Sequence, residues 1–202
     1  MPDANPPLPL ICASGVALWD ARALFPDTAP RRRSRDAITG VAIHHDGTFL
    51  PPLETTNWHA ELARLRAIYN HALAQGWLRF PYHAVGFQSG RAYLTLDILH
   101  SGSHVAGHNH HLAGIAAAGD YTQQQIPPSI YLALGTALAF LWGALERPLT
   151  DVRQHKVWDP AANTACPDSI APGVVTAAAD HLFPDTAPGP ASPPAPARAG
   201  SQ

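Results

Sequence analysis

Lysine is almost missing from this chain: Lys156 stands alone against twelve arginines, and only 14% of the residues are charged. Basic and acidic side chains nearly balance, 13 against 15, for a formal net charge of -2. Without an excess of positive charge the chain lacks the electrostatic footprint of a nucleic-acid-binding surface. Cysteine is scarce as well. Cys12 and Cys166 are the only two, too few for a disulfide framework. A basic, apolar leader is also lacking. Pro2, Asp3 and Asn5, with three further prolines by position 9, stand where a secretory signal needs positive charge and then an apolar run. Synthesis in the cytoplasm without a signal peptide is therefore expected. The uncharged apolar stretch at 130–145 is shorter than the roughly 20 residues that span a bilayer. Pro127-Pro128 before it and Glu146-Arg147 after it mark a buried helix, and no membrane partner is expected.

What the chain does have is histidine, 12 of them, and proline, 21 of them, in 202 residues that are 46% hydrophobic. That length suits one domain with a real core. Residues 1–36 form a Pro-rich and then Arg-rich lead-in, ending in Arg31-Arg32-Arg33-Ser34-Arg35 and expected to wrap the domain. The arginine run reads as a solvated linker, with contact to an anionic polymer as the alternative. Residues 37–182 carry the domain. Residues 183–202 are Pro/Ala-rich and expected to be disordered. The hexapeptide Phe-Pro-Asp-Thr-Ala-Pro at 25–30 recurs at 183–188. One such pair is not a structural repeat.

The hydrophobic pattern predicts a β-branched strand over 38–45, closed by the turn pair Asp46-Gly47. Thr56 or Asn57 can cap a helix running to about residue 75, with Leu62, Leu65, Ile68 and Tyr69 at helical spacing. Two short strands follow, 82–88 and 92–96, joined through Ser89-Gly90 as a hairpin. A Gly/His/Asn loop spans 100–111. Then come a strand over 112–117, the uncharged helix, a strand near 150–154 and a last helix near 174–181. Strands mixed with helices predict an α/β single domain with a central mixed β-sheet flanked by helices.

Chemistry concentrates in few places. Cys166, His155 and one of His44 and His45 form a donor set suited to zinc. A catalytic zinc keeps three protein ligands and a fourth position for water. Successive side chains of a strand point to opposite faces, so only one histidine of the pair can face such a site. The spacing matches no compact zinc motif, and a free cysteine is commonly just a small buried hydrophobe. His108, His110 and His111 read as solvent-facing loop residues. Trp58 and Trp77 read as core or half-core, and His59 and His71 as surface. Cys12 reads as structural or incidental.

Five segments, in order across about 37–180, together resemble the zinc-dependent N-acetylmuramoyl-L-alanine amidase family of phage endolysins and peptidoglycan recognition proteins. They are Ile43-His44-His45; Pro81-Tyr82-His83-Ala84-Val85 with Ser89-Gly90-Arg91; Gly102-Ser103-His104-Val105-Ala106-Gly107-His108-Asn109; Ala113-Gly114-Ile115 with Gly119-Asp120; and His155 with Thr164-Ala165-Cys166-Pro167. The resemblance implies the family's amidase fold, one zinc per chain held by His44, His155 and Cys166, and catalytic roles for Tyr82 and Thr164. It implies that His104 and Asn109 line a groove for peptidoglycan or its muropeptides. It also implies a monomeric hydrolase, a phage or prophage lytic enzyme that cuts the bond between N-acetylmuramic acid and L-alanine in the cell wall. A non-catalytic peptidoglycan receptor, or an amidase of soluble muropeptides in wall recycling, are the alternatives. The chain departs from the pattern at four places. Ala116 stands where some members carry glutamate. Asp168 replaces a usual glycine, and Ala84 replaces the aromatic third residue of the Tyr-His-Phe strand. The interval from His155 to Cys166 is long, which predicts a bulged loop through Trp158.

Overall fold

The computed structural model describes residues 8–11, 17–48, 57–162, 164, 166 and 169–182. The centre of the fold is written in small and β-branched side chains. Strands β1 (Leu8–Ile11), β2 (Ala17–Asp20), β3 (Gly40–His45), β4 (Ala84–Gly86), β5 (Ala92–Leu94), β6 (Leu112–Ala117) and β7 (Asp151–Gln154) form one sheet in the order β1-β2-β5-β4-β6-β3-β7. The pairs β2/β5, β4/β6, β6/β3 and β3/β7 are parallel, whereas β1/β2 and β4/β5 are antiparallel. The sheet is thus mixed. Every residue of β3, β4, β5 and β6 is buried, as strands covered on both faces must be.

Alternation along the strands separates the two covers. Val41 and Ile43 of β3, Ala113, Ile115 and Ala117 of β6, Ala84 of β4 and Leu94 of β5 face helices α2 (Pro128–Leu145) and α4 (Pro172–Leu182). The α2 helix starts on the Pro127-Pro128 pair and carries no charge. It is long and apolar enough to cross a membrane, but here it is the core helix, with eleven buried residues from Ile130 to Leu145. The opposite face shows Val85, Tyr93 and Ala116 to helix α1 (Trp58–Ala74). Asn57 caps α1 by accepting the His59 N–H at 2.9 Å, and Leu62, Leu65, Ile68 and Ala72 are its buried stripe. Full burial of one such aliphatic side chain contributes about 1.5–3 kcal/mol.

A buried carboxylate locks α1 to the β4–β5 hairpin. Glu61 accepts from Ser89 Oγ at 2.5 Å, Arg91 Nε at 2.7 Å and the Tyr93 hydroxyl at 2.6 Å. A buried charge is tolerable when it is paired and bonded in this way.

Three expectations change. The lead-in expected to wrap the domain contributes two strands to its sheet: β1 pairs with β2, and Leu18, Trp19 and Asp20 of β2 pair with Ala92, Tyr93 and Leu94. Nor is the arginine run uniformly solvated. Arg31 and Arg32 are exposed, but Arg33 turns inward and donates to the carbonyls of Asn109 at 2.8 Å, Leu112 at 2.6 Å and Ile98 at 3.1 Å. Burial pulls its pKa down to about 10, which leaves it charged at neutral pH. The segment after His155 is no bulged loop either. It forms a one-turn helix α3 (His155–Trp158) and a 3-10 turn, Pro160–Ala162. Trp158 anchors it by donating from Nε1 to the Val41 carbonyl at 3.1 Å. Cys12, the tail at 183–202 and the second hexapeptide lie outside the described residues.

Candidate metal centre

The α1 face of the sheet is covered in two parts. Helix α1 lies over β4 and β5, whereas Val105, Leu112 and Trp158 cluster over Ala42 of β3. Between these covers the C-terminal end of β3 presents His44. The register pairs His44 with Ala116 and His45 with Ala117, so the two histidines take opposite faces. His45 faces the α2 side. Its Nδ1 accepts the Tyr121 N–H at 3.0 Å, and Asp120 Oδ1 lies 3.7 Å away.

His44 meets His155 and Cys166, and one potential ligand atom from each of the three lies within 4.8 Å of the others. The His44 and His155 ring centroids are 4.6 Å apart. Cys166 Sγ lies 3.8 Å from His44 Nδ1. A tetrahedral zinc at ordinary bond lengths would set a sulfur and a nitrogen about 3.6 Å apart. The donors therefore fit zinc in kind, number and spacing. Burial first, and the neighbouring histidines second, push the His44 pKa well down. Burial also lowers that of His155. Both imidazoles are thus neutral near pH 7, as metal ligation requires. Cys166 Sγ accepts the backbone N–H of His45 at 3.3 Å and lies 3.5 Å from the His45 carbonyl oxygen, so the end of β3 fixes the sulfur from two sides.

The three donor residues come from separate elements: a strand end, the first residue of α3 and a loop. Thr164 shapes that loop, its Oγ1 accepting the Cys166 N–H at 3.2 Å. Residues 163, 165, 167 and 168 lie outside the described residues. Tyr82 packs beside the cluster, its ring centroid 5.0 Å from that of His44. Burial, then the adjacent Cys166 and Asp46, raise the Tyr82 pKa, so its hydroxyl keeps its proton and remains a donor. Next to it opens a cavity of about 340 Å³ lined by Asp46, Arg64, His71, Trp77 and Tyr82 among others. Asp46 Oδ2 accepts from Arg64 Nε at 2.6 Å, joining the end of β3 to α1.

His104 and Asn109 sit on the loop over β6. His104 is only 9% exposed, and its Nδ1 lies 3.1 Å from His44 Nε2. Asn109 Oδ1 accepts the N–H groups of His104 and Val105, both at 2.9 Å. His110 is solvent-exposed, while His108 and His111 are half-buried and hydrogen-bonded to each other at 3.1 Å. Trp58 is half-buried, as expected. Trp77 is 41% exposed at the cavity mouth rather than in the core. Composition and periodicity gave no sign of this cavity, because its lining comes from three separate stretches of chain.

A mixed sheet with helices on both faces, carrying two histidines and a cysteine at the C-terminal end of a central parallel strand, defines an α/β domain with a zinc-type donor site. Solved structures with this architecture include the N-acetylmuramoyl-L-alanine amidase LysC from Clostridium intestinale, at 20% identity and a TM-score of 0.54, covering 79% of this chain and 95% of that one. The endolysin of Thermus scotoductus bacteriophage Ph2119 is 22% identical with a TM-score of 0.60, covering 80% and 98%. Drosophila PGRP-LB is 20% identical with a TM-score of 0.60, covering 74% and 86%. No family model and no curated protein sequence matches the chain. The chain has the fold of N-acetylmuramoyl-L-alanine amidases and peptidoglycan recognition proteins.

Proposed function

We propose that this chain is a zinc-dependent N-acetylmuramoyl-L-alanine amidase, which hydrolyses the amide joining N-acetylmuramic acid to L-alanine in peptidoglycan. The observation that carries the proposal is the convergence of His44, His155 and Cys166 beside Tyr82. Amidases and endolysins share the fold. Peptidoglycan recognition proteins of the same fold have been solved with tracheal cytotoxin bound, which favours a peptidoglycan fragment as the ligand of the adjoining cavity.

When bound, zinc supplies Lewis acidity and a water activated near neutral pH. The protein supplies the rest. His44, His155 and Cys166 would hold the ion. Tyr82, protonated and half-buried in the cavity wall, donates a hydrogen bond to the amide oxygen as negative charge develops on it. Such a preorganised donor acts most strongly in the transition state. Thr164 holds the Cys166 backbone, so its first task is to place the cysteine sulfur; its hydroxyl is assigned the further role of helping a water return a proton to the leaving amine. Ala116 is buried in the strand, and no carboxylate base acts from that position. A lytic role on the wall, in the manner of a phage endolysin, accords with the Ph2119 neighbour.

The experiment is hydrolysis of purified peptidoglycan by the zinc-loaded chain, read as newly exposed N-terminal alanine. The wild type should release alanine termini and Cys166→Ser should not. Tight binding of wall fragments with no release would establish a receptor instead. Release from soluble muropeptides alone would assign the activity to wall recycling.

A further inference from the structure

We propose that His104 is a positioning residue for the metal centre: its Nδ1 accepts the Nε2–H of His44 and thereby turns the His44 Nδ1 lone pair toward Cys166 and His155. The inference rests on the zinc reading above and deepens it.

The two nitrogens of His44 have distinct surroundings. Nδ1 lies 3.8 Å from Cys166 Sγ, whereas Nε2 lies 3.1 Å from His104 Nδ1. A neutral imidazole carries one N–H and one lone pair. If Nδ1 ligates the metal, the proton sits on Nε2, and among the described residues the acceptor within hydrogen-bond distance is His104 Nδ1. The rings meet edge to face at 83°, with centroids 5.1 Å apart. Metal-bound histidines commonly have their second nitrogen fixed in this way. Here the fixing group is another histidine rather than a carboxylate.

The fold makes room for this ring. A Cβ on Gly114 of β6 would lie 2.8 Å from His104 Cδ2 and Cγ, and one on Gly102 would lie 2.7 Å from Cδ2. Any side chain at either position would displace the imidazole, so the two glycines form its slot. The backbone beside it is clamped by Asn109 Oδ1 through the His104 and Val105 N–H groups. The bond to His44 places the remaining His104 proton on Nε2. That atom is buried and has no hydrogen-bond partner among the described residues. A leucine would fill the slot without burying an unpaired donor. A histidine here, with that cost to stability, is explained by what its other nitrogen does.

The test is zinc affinity, measured by competition with a chromophoric chelator on the full chain, with circular dichroism to monitor folding. His104→Leu keeps the volume and removes the acceptor. It should weaken zinc binding 10–100-fold, the usual effect of losing such a partner, at an unchanged stoichiometry. His104→Gln offers a side-chain oxygen to the same N–H and should recover most of the loss. Gly114→Ala keeps the histidine but closes its slot and should weaken binding as His104→Leu does. If His104→Leu fails to fold, the Gly114→Ala and His104→Gln pair decides. Wild-type affinity in the folded Leu variant, or an equal loss with Gln and Leu, overturns the assignment, since the side chain would then only fill space. Wild-type protein without a zinc that Cys166→Ser removes would instead sink the metal centre itself. That outcome is distinguishable because it appears before any change at position 104.

Discussion

Strand β3 has two faces that obey different rules. Val41, Ile43 and His45 look toward α2, and Ala42 and His44 look the other way. On the α2 side Val41 and Ile43 are sealed among alanine and leucine, and His45 is tied to the Tyr121 backbone. On the other side the cover is split between α1 and the 100–111 loop with α3, and the polar chemistry collects in the gap. His44, His104, His155, Cys166 and Tyr82 all belong to that gap. One face makes the strand rigid, and the other uses that rigidity to hold ligand atoms from distant segments within a few ångströms. Side-chain alternation turns a one-residue step, from His44 to His45, into a change from candidate metal ligand to structural hydrogen-bond acceptor.

Exchanging the roles of the two faces should produce the largest effect. His44→Ala should lose zinc, and wall hydrolysis should fall to background. His45→Ala should retain zinc and activity while the melting temperature drops. Metal content and alanine release check both variants, and the reverse pattern would mean that the faces have been assigned the wrong way round.

Tyr82→Phe comes next. It removes one donor from the gap and nearly no volume. The value of kcat should fall about 100-fold, equivalent to roughly 3 kcal/mol of transition-state stabilisation. KM and zinc content should hardly move, because the bond strengthens only as charge develops. Steady-state kinetics on soluble wall fragments decide this, and a near-normal kcat would make Tyr82 a packing residue.

Acid should weaken the fold through the polar face. His83 is buried, its Nδ1 accepts the Gly114 N–H at 2.9 Å, and its Nε2 faces the His100 carbonyl at 2.9 Å. Burial, then the Arg33 charge, depress its pKa from the ordinary 6.5 to about 3. Between those values the unfolded chain binds a proton that the folded chain refuses, so stability is full above about pH 6.5 and is lost as pH falls toward 3. Thermal melts of chelator-treated protein across this range should show the decline. His83→Asn, which does not titrate, should flatten it in part, since His44 and His104 are depressed in the same direction. An unchanged slope in the variant would remove His83 from the account.

The smallest effect belongs to the sealed face. Ile43→Val deletes one buried methylene and should cost about 0.5–1.5 kcal/mol in denaturant unfolding. Zinc affinity should stay at the wild-type value. A large loss of zinc with this variant would show that the two faces are coupled more tightly than their separate packing implies.

Much of the fold was legible before the structure because each long element is locally consistent. The β-branched run ending in His44-His45, the Asn57 cap with its leucine stripe and the uncharged helix after Pro127-Pro128 all follow from propensity and period. The two N-terminal strands were not. Ala17–Asp20 is four residues long, and its pairing with β5 is decided by the sheet edge, not by its own composition. The burial of Arg33 was equally hidden, since a run of arginines looks solvated until three carbonyls are found around one of them. At the site, the donor types were visible, but a His/His/Cys set spread over 122 positions has no spacing rule, and only the resemblance singled it out. The contact between His44 and His104, and the exposed Trp77 at the cavity, depend on tertiary placement that no local pattern encodes.

On the proposed reading, hydrolysis depends on a zinc held by His44, His155 and Cys166. This dependence is tested most directly by following alanine termini released from purified peptidoglycan before chelation, after chelation and after zinc is restored. Release, then none, then recovery with one equivalent of zinc per chain is the expected course, with no recovery in Cys166→Ser. Undiminished release by metal-free protein would contradict it.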